Sequence, residues 1–245
     1  MLMLRKTMLV VLLSLFLLDF SSIKGNCEEY EDDLLKKTTQ EVIAGAETDV
    51  EKAEKIYYFI RDEIKFGWLF PQAIPVEEVL KNKKGVCMQK ANLLVAMARE
   101  AGLKARFHFM YVRKNALEDF LPGFAYKRWS NPFAHTFPEI HLNGKWVSME
   151  ATFDKELHEI CIKKKINFGK YKDIVEDISI EFSPDGVKGH QQYVHVEGME
   201  SFYGEDLSEF VKYLHADVPW WKRMLQPMIF RKAQNIMDEL RDKTK

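Results

Sequence analysis

The chain reads as an α+β protein, and three observations carry that reading. Helical periodicity prevails before Lys104. Strand signals cluster after it. Between two alternating runs lies Asn143-Gly144, the strongest short-range signal for a two-residue type I′ hairpin turn. With 245 residues and 47% hydrophobic content, the chain can bury a real core. Its net charge of -1, without a basic stripe or recognisable motif, excludes nucleic acid as an expected partner.

The elements follow in order. Arg5 and Lys6 precede an apolar run from Met8 to Leu18. That run is too short for a bilayer of about 30 Å but suits a signal peptide, with cleavage after Gly25 as the best compromise. An uncleaved N-terminal anchor is the alternative, and both readings put the folded part outside the cytoplasm. Glu28 to Gly45 is polar and predicted helical. A second helix, Asp49 to Phe66, has Asp49 as its expected N-cap and Ala53, Ile56, Tyr57, Ile60 and Ile64 at helical spacing. Pro71 to Pro75 is a loop, and Val76 to Asn82 one or two helical turns. Gly85 precedes the best-patterned helix, Cys87 to Ala101, with the stripe Met88, Ala91, Leu94/Val95 and Ala98 and Gly102 past its end.

Lys104 to Val112, His135 to Leu142 and Lys145 to Thr152 are predicted strands. Asp177 to Phe182 is a fourth, Ser183 to Gly189 a turn and Tyr193 to Glu197 a return strand. Asp206 to Lys245 is predicted helical, interrupted near Pro219 and Pro227. The implied organisation is 1–25 signal peptide or anchor, 26–48 polar segment, 49–200 main domain with core motifs in 49–154, and 201–245 helical extension.

Cys87 is the first candidate for chemistry. At a helix start the unpaired N–H groups and the macrodipole favour an anion, here a thiolate. A thiol needs a base, and the hairpin supplies one. With a two-residue turn, Leu142 pairs with Lys145, so His135 lies opposite Thr152 and Phe137 opposite Glu150. His135, Glu150 and Thr152 then share one face. Glu150 is a diagonal neighbour of His135, with Cα atoms roughly 5.5–8 Å apart, close enough to orient the imidazole. Asp154 is the neighbour on the other side, and pattern alone does not choose between the two carboxylates. Taken singly, these residues have bland explanations: a buried cysteine, a sheet histidine, a solvated glutamate. Their joint occurrence is the argument.

Gly85-Val86-Cys87 with its following helix, the strand His135-Thr136-Phe137-Pro138-Glu139-Ile140, and Gly144-Lys145-Trp146 through Thr152 resemble the transglutaminase-like superfamily. So does the helix DVEKAEKIYYFIRDEIKF. The resemblance spans about Asp49 to Asp154 and implies a papain-like core, with the nucleophile helix packed on an antiparallel sheet. By position it makes Cys87 the nucleophile, His135 the base and Glu150 the orienting carboxylate. Glutamate stands where the family usually has aspartate, which keeps Asp154 as a substitute. Phe137 replaces the more usual tryptophan, and Pro138 predicts a bulge or edge strand. The Cys87 N–H is the expected oxyanion donor, with Trp68 as candidate side-chain partner.

Lys114 to Ala134, aromatic and directly before His135, reads as a substrate-binding flap, with a satellite hydrophobic cluster as the alternative. The His158-Glu159 start of a zinc-protease motif fails at Ile162, and His141 lacks ligand company, so neither metal nor cofactor is expected. Of the remaining cysteines, Cys27 and Cys161 are the natural pair if a bridge forms. The expected partner is a peptide or protein amide. A membrane contact, where there is one, runs through residues 1–20 or the C-terminal helix, although docking of that helix on the domain is the preferred reading. The expected activity is a cysteine peptidase or amidase working through a thioester, with amine transfer the second outcome. The alternative is an inactive module binding peptide or cell-envelope components.

Overall fold

The computed structural model describes residues 32–69, 74–164, 180–183, 186–189, 191–193, 195–208 and 220–242. Residues 1–31, with the expected signal segment and Cys27, lie outside them. The unit from Asp33 to Lys245 holds the sheet and the helices packed on it.

Helices come first. α1 spans Asp32–Ile43 and α2 Asp49–Tyr58, continued by a π-helical turn over Phe59–Glu63. The N-cap of α2 is Thr48 rather than Asp49. Its hydroxyl accepts from Glu51 N, and the Glu51 carboxylate reaches back to the Thr48 N–H. This is a capping box, which satisfies two orphan donors where Asp49 alone would satisfy one. β1 (Lys65–Phe66), α3 (Val76–Asn82) and β2 (Lys84–Gly85) lead to α4 (Cys87–Glu100). Gly102 follows with a φ of 81°, the left-handed conformation expected past a helix end.

A four-stranded antiparallel sheet forms next. β3 is Ala105–Val112, β4 Phe133–Leu142 and β5 Lys145–Ser148. Asn143 and Gly144 both have positive φ, 49° and 79°, as a type I′ turn requires. The register is the expected one, Leu142 opposite Lys145 through Glu139 opposite Ser148. β5 stops at Ser148, short of the expected Thr152, and Pro138 gives the reason. β4 is a central strand, paired on both sides, not the edge or bulge expected from the proline. The Pro138 carbonyl accepts from Met149 N at 2.9 Å, so its missing N–H faces the point where the β4–β5 ladder ends.

The later chain departs further from expectation. A short hairpin pairs β6 (Glu181–Ser183) with β7 (Gly186–Lys188), so the return strand begins at Gly186, not Tyr193. Residues 195–204 run back along β3 instead: His195 bridges Val112, and β8 (Phe202–Gly204) pairs with Phe107–Phe109. The sheet order is β5-β4-β3-β8, and its last strand lies beyond residue 200. α5 (Gly123–Arg128) and α6 (Lys155–Lys164) are short, while α7 runs unbroken over Trp220–Asp242 through Pro227.

Two apolar clusters hold these layers. In one, α2, α3 and α4 pack on Ala105, Phe107, Phe109, Ile140 and Leu142 of the sheet. The stripe Met88, Ala91, Leu94/Val95 and Ala98 of α4 is buried there as expected. The second gathers Phe66, Trp68, Met110, Phe137 and Phe153 with Phe230, Ala233 and Met237 of α7. Ala116, Leu117, Phe120 and Leu121 belong to it too. The 114–134 segment thus carries the satellite cluster through these four residues. α7 docks on the domain through these contacts.

Candidate active site

Cys87 owes its position to a close approach. β1 and β2 run parallel, with Phe66 opposite Gly85, and Gly67 N donates to Gly85 O at 3.1 Å. A Cβ on Gly85 would meet Gln89 Cβ at 3.0 Å, tighter than side chains comfortably allow. The chain then enters α4. Gln89 Oε1 accepts from Val86 N at 3.0 Å, and the first helical bond runs from Lys90 N to Val86 O. Cys87 is a half-buried free thiol at the first residue of the helix.

His135 is buried on β4 opposite Met110. Its Nε2 donates to Glu150 Oε1 at 2.6 Å, and a side-chain hydrogen bond links it to Cys87. Since the carboxylate takes Nε2, Nδ1 is the atom left for the thiol. Burial alone would push the imidazolium down. The Glu150 charge and the hydrogen bonds to Cys87 and Glu150 outweigh it and push His135 up to about 10.

Glu150 is completely buried yet fully partnered. Oε1 also accepts from Thr152 Oγ1 at 3.1 Å, while Oε2 accepts from the backbone N–H groups of Gln192 at 2.5 Å and Tyr193 at 3.3 Å. Four donors leave neither oxygen of this buried carboxylate unsatisfied. The Tyr193 ring lies 4.4 Å from that of His135, and burial pushes its phenol well above the usual range.

The other predicted residues fall elsewhere. Asp154, also completely buried, accepts from Phe66 N at 2.7 Å, Leu157 N at 3.0 Å and Arg241 Nη2 at 2.8 Å. Burial would raise its carboxyl, but Arg241, Lys90 and the two N–H donors hold it below the usual range. It anchors α7 and α6 to β1 rather than facing His135. Trp68 stacks on Phe230 at 4.6 Å, and its backbone N–H donates to Gln234 Oε1 at 2.7 Å. Its indole Nε1 has no hydrogen-bond partner among the described residues. Cys161 is buried on α6; its suggested partner Cys27 lies outside the described residues. Among the described residues no cluster of three His, Cys, Asp or Glu side chains has metal-binding geometry.

Hairpin arithmetic already puts Thr152 on the His135 face. Gln192 and Tyr193 lie some 40 residues further on, outside any recognisable pattern. Lys90, buried beside Cys87 on α4, interrupts no periodicity and carries no sequence signal.

The model of the transglutaminase-like superfamily matches residues 36–151. Among solved structures, a protein of Cytophaga hutchinsonii provisionally described as a cysteine protease is 20% identical, with a TM-score of 0.38 over 49% of this chain and 37% of that one. A provisional protease from Parabacteroides distasonis is 14% identical, with a TM-score of 0.35 over 49% of this chain and 23% of that one. The chain spans well under half the length of either. No curated protein sequence matches it.

Proposed function

From a chain that carries a transglutaminase-like core over residues 36–151, we propose that this protein is a thiol enzyme acting on a peptide or protein amide. The observation that supports this best is the relay Cys87, His135 and Glu150, in which the imidazole is hydrogen-bonded to both the glutamate, through Nε2, and the thiol.

The chemistry follows from that order. The Cys87 proton passes to His135 Nδ1, and Sγ attacks the amide carbonyl carbon. The C=O electron pair moves to oxygen, which the Cys87 N–H stabilises at the start of α4. The unpartnered Nε1 of Trp68 is the candidate second donor. Collapse of the tetrahedral intermediate breaks the C–N bond. The Nδ1 proton goes to the leaving amine, and a thioester remains on Sγ. Water then gives its proton to Nδ1 and attacks the thioester. Cleavage of the C–S bond releases an acid and returns the proton to the thiol. Glu150 keeps Nε2 protonated throughout, so Nδ1 is always the working nitrogen. Water outnumbers any amine, which favours hydrolysis over transfer. The placement outside the cytoplasm rests on residues 1–25 alone.

The test is alkylation. Iodoacetamide near neutral pH should label Cys87 stoichiometrically. Cys87→Ser should abolish amide turnover with an unchanged melting temperature. A variant that keeps full activity, or loses only stability, would return Cys87 to the role of core filler.

A further inference from the structure

We propose that the Gln192–Tyr193 pair is a positioning element of this active site, holding the second oxygen of Glu150 so that the first stays on His135. The inference rests on the triad reading above. It adds a segment that lies outside the matched core of residues 36–151.

Four observations carry it. The Gln192 and Tyr193 amides both donate to Glu150 Oε2, while His135 and Thr152 occupy Oε1. The Gln192 side chain, completely buried, fixes the pair to the strand end beside Glu150. Its Oε1 accepts from Phe153 N at 2.6 Å, and its Nε2 donates to Phe153 O at 3.4 Å. This imitates one rung of a β-ladder with a side-chain amide. The Tyr193 ring closes over His135 and Phe153, with centroids at 4.4 and 5.2 Å. Finally, His195 and Val196 tie the following residues to the end of β3, Val196 N donating to Tyr111 O at 2.9 Å. The segment is therefore held at both ends, with its two N–H groups aimed at one carboxylate oxygen.

The arrangement also accounts for glutamate where aspartate is usual in resembling chains. Glu150 bridges two sets of donors on opposite sides. A carboxylate drawn back by one methylene, about 1.5 Å, would have to give up one set. Two N–H donors hold Oε2 in place, and a carboxylate fixed in this way stabilises the imidazolium. The titratable groups packed around the pair are Cys87, His135, Tyr57, whose hydroxyl meets Glu150 O at 3.5 Å, and Tyr193 with Cys161 nearby.

The experiment needs no substrate. Cys87 is alkylated with iodoacetate and with iodoacetamide from mildly acidic to strongly alkaline pH, and the ratio of the two rates is followed. An imidazolium beside the sulfur favours the anionic reagent, so the alkaline fall of the ratio marks loss of the His135 proton. Gln192→Met removes the clamp on Phe153 at nearly constant volume. It should move that fall down by about one pH unit, and Glu150→Asp should move it in the same direction. An unmoved alkaline limb in a folded Gln192→Met protein overturns the positioning role and leaves the triad intact. A parent protein in which the ratio shows no such limb overturns the triad, and the positioning role with it. Should Gln192→Met not fold, 15N-tyrosine labelling of the parent decides: the Tyr193 amide proton should titrate in step with His135, and an amide indifferent to pH overturns the proposal.

Discussion

Glu150 and Asp154 stand four residues apart in the chain, both completely buried, yet they have opposite occupations. Glu150 is surrounded by an imidazole, a hydroxyl and two amides, and the imidazole is the one linked to Cys87. Asp154 meets a guanidinium and two amides that belong to β1, α6 and α7. One carboxylate faces an imidazole, which changes its charge in the proposed reaction. The other faces a permanent cation. The difference teaches that burial and charge do not by themselves set what a carboxylate can do; the partner does. Three substitutions sharpen the contrast.

The largest effect is expected at Glu150. Glu150→Gln keeps the shape but offers an amide that can hold the wrong histidine tautomer. The expected cost is on the order of 10²–10⁴ in kcat, by comparison with triad aspartates. Thermal melts on the same samples should show a much smaller change. A Glu150→Gln protein of normal turnover would mean that something other than Glu150 orients His135.

Asp154→Asn should reverse the pattern. The amide keeps one acceptor for Phe66 N or Leu157 N but leaves Arg241 beside an uncharged group. Breaking a buried pair of this kind costs on the order of 3 kcal/mol. Urea melts should register that loss, with turnover per folded molecule little changed. If turnover collapses while stability holds, the catalytic role passes to Asp154.

These two carboxylates also mark how far the sequence could be read. Glycine before Cys87 and Asn143-Gly144 are local signals whose meaning is set by backbone sterics, so the helix that begins at Cys87 and the hairpin register are legible. Period-two alternation then brought His135, Glu150 and Thr152 to one face. It could not separate Glu150 from Asp154, because the strand ends at Ser148 and the chain's path beyond it depends on Arg241, 87 residues after Asp154. The amides of Gln192 and Tyr193 were invisible for a related reason: backbone donors have no side-chain signature. β8 is only three residues long, too short to show a period. Pro227 read as a helix break, yet α7 continues through it, anchored beyond by Phe230, Ala233, Gln234, Met237 and Arg241. Tertiary contact outweighs a local breaker there.

The third substitution concerns Lys90, one turn into α4 from Cys87. Its amine is fully buried and has no hydrogen-bond partner among the described residues. Burial drives its pKa from 10.5 down to about 7, against the pull of Asp154. Between about 7 and 10.5 the unfolded chain therefore carries a proton that the folded protein does not, so stability rises with pH across that window. His135 acts in the opposite sense. Its pKa goes from 6.5 up to about 10, so the folded protein holds the extra proton, and the stability this gives below 6.5 is lost as pH rises through 10. The two slopes oppose each other over most of the same range, and the parent's stability should be nearly flat there. Lys90→Met replaces the amine with an apolar chain of similar length. It should stabilise the protein most on the acidic side, where the buried amine would otherwise be charged, and the gain should shrink towards alkaline pH. It should also expose the falling slope of His135. Urea melts of parent and variant at a series of pH values would show both. A variant whose stability follows the parent's at every pH would mean that the Lys90 amine is charged and compensated in the folded protein, and the flatness of the parent would then need another cause.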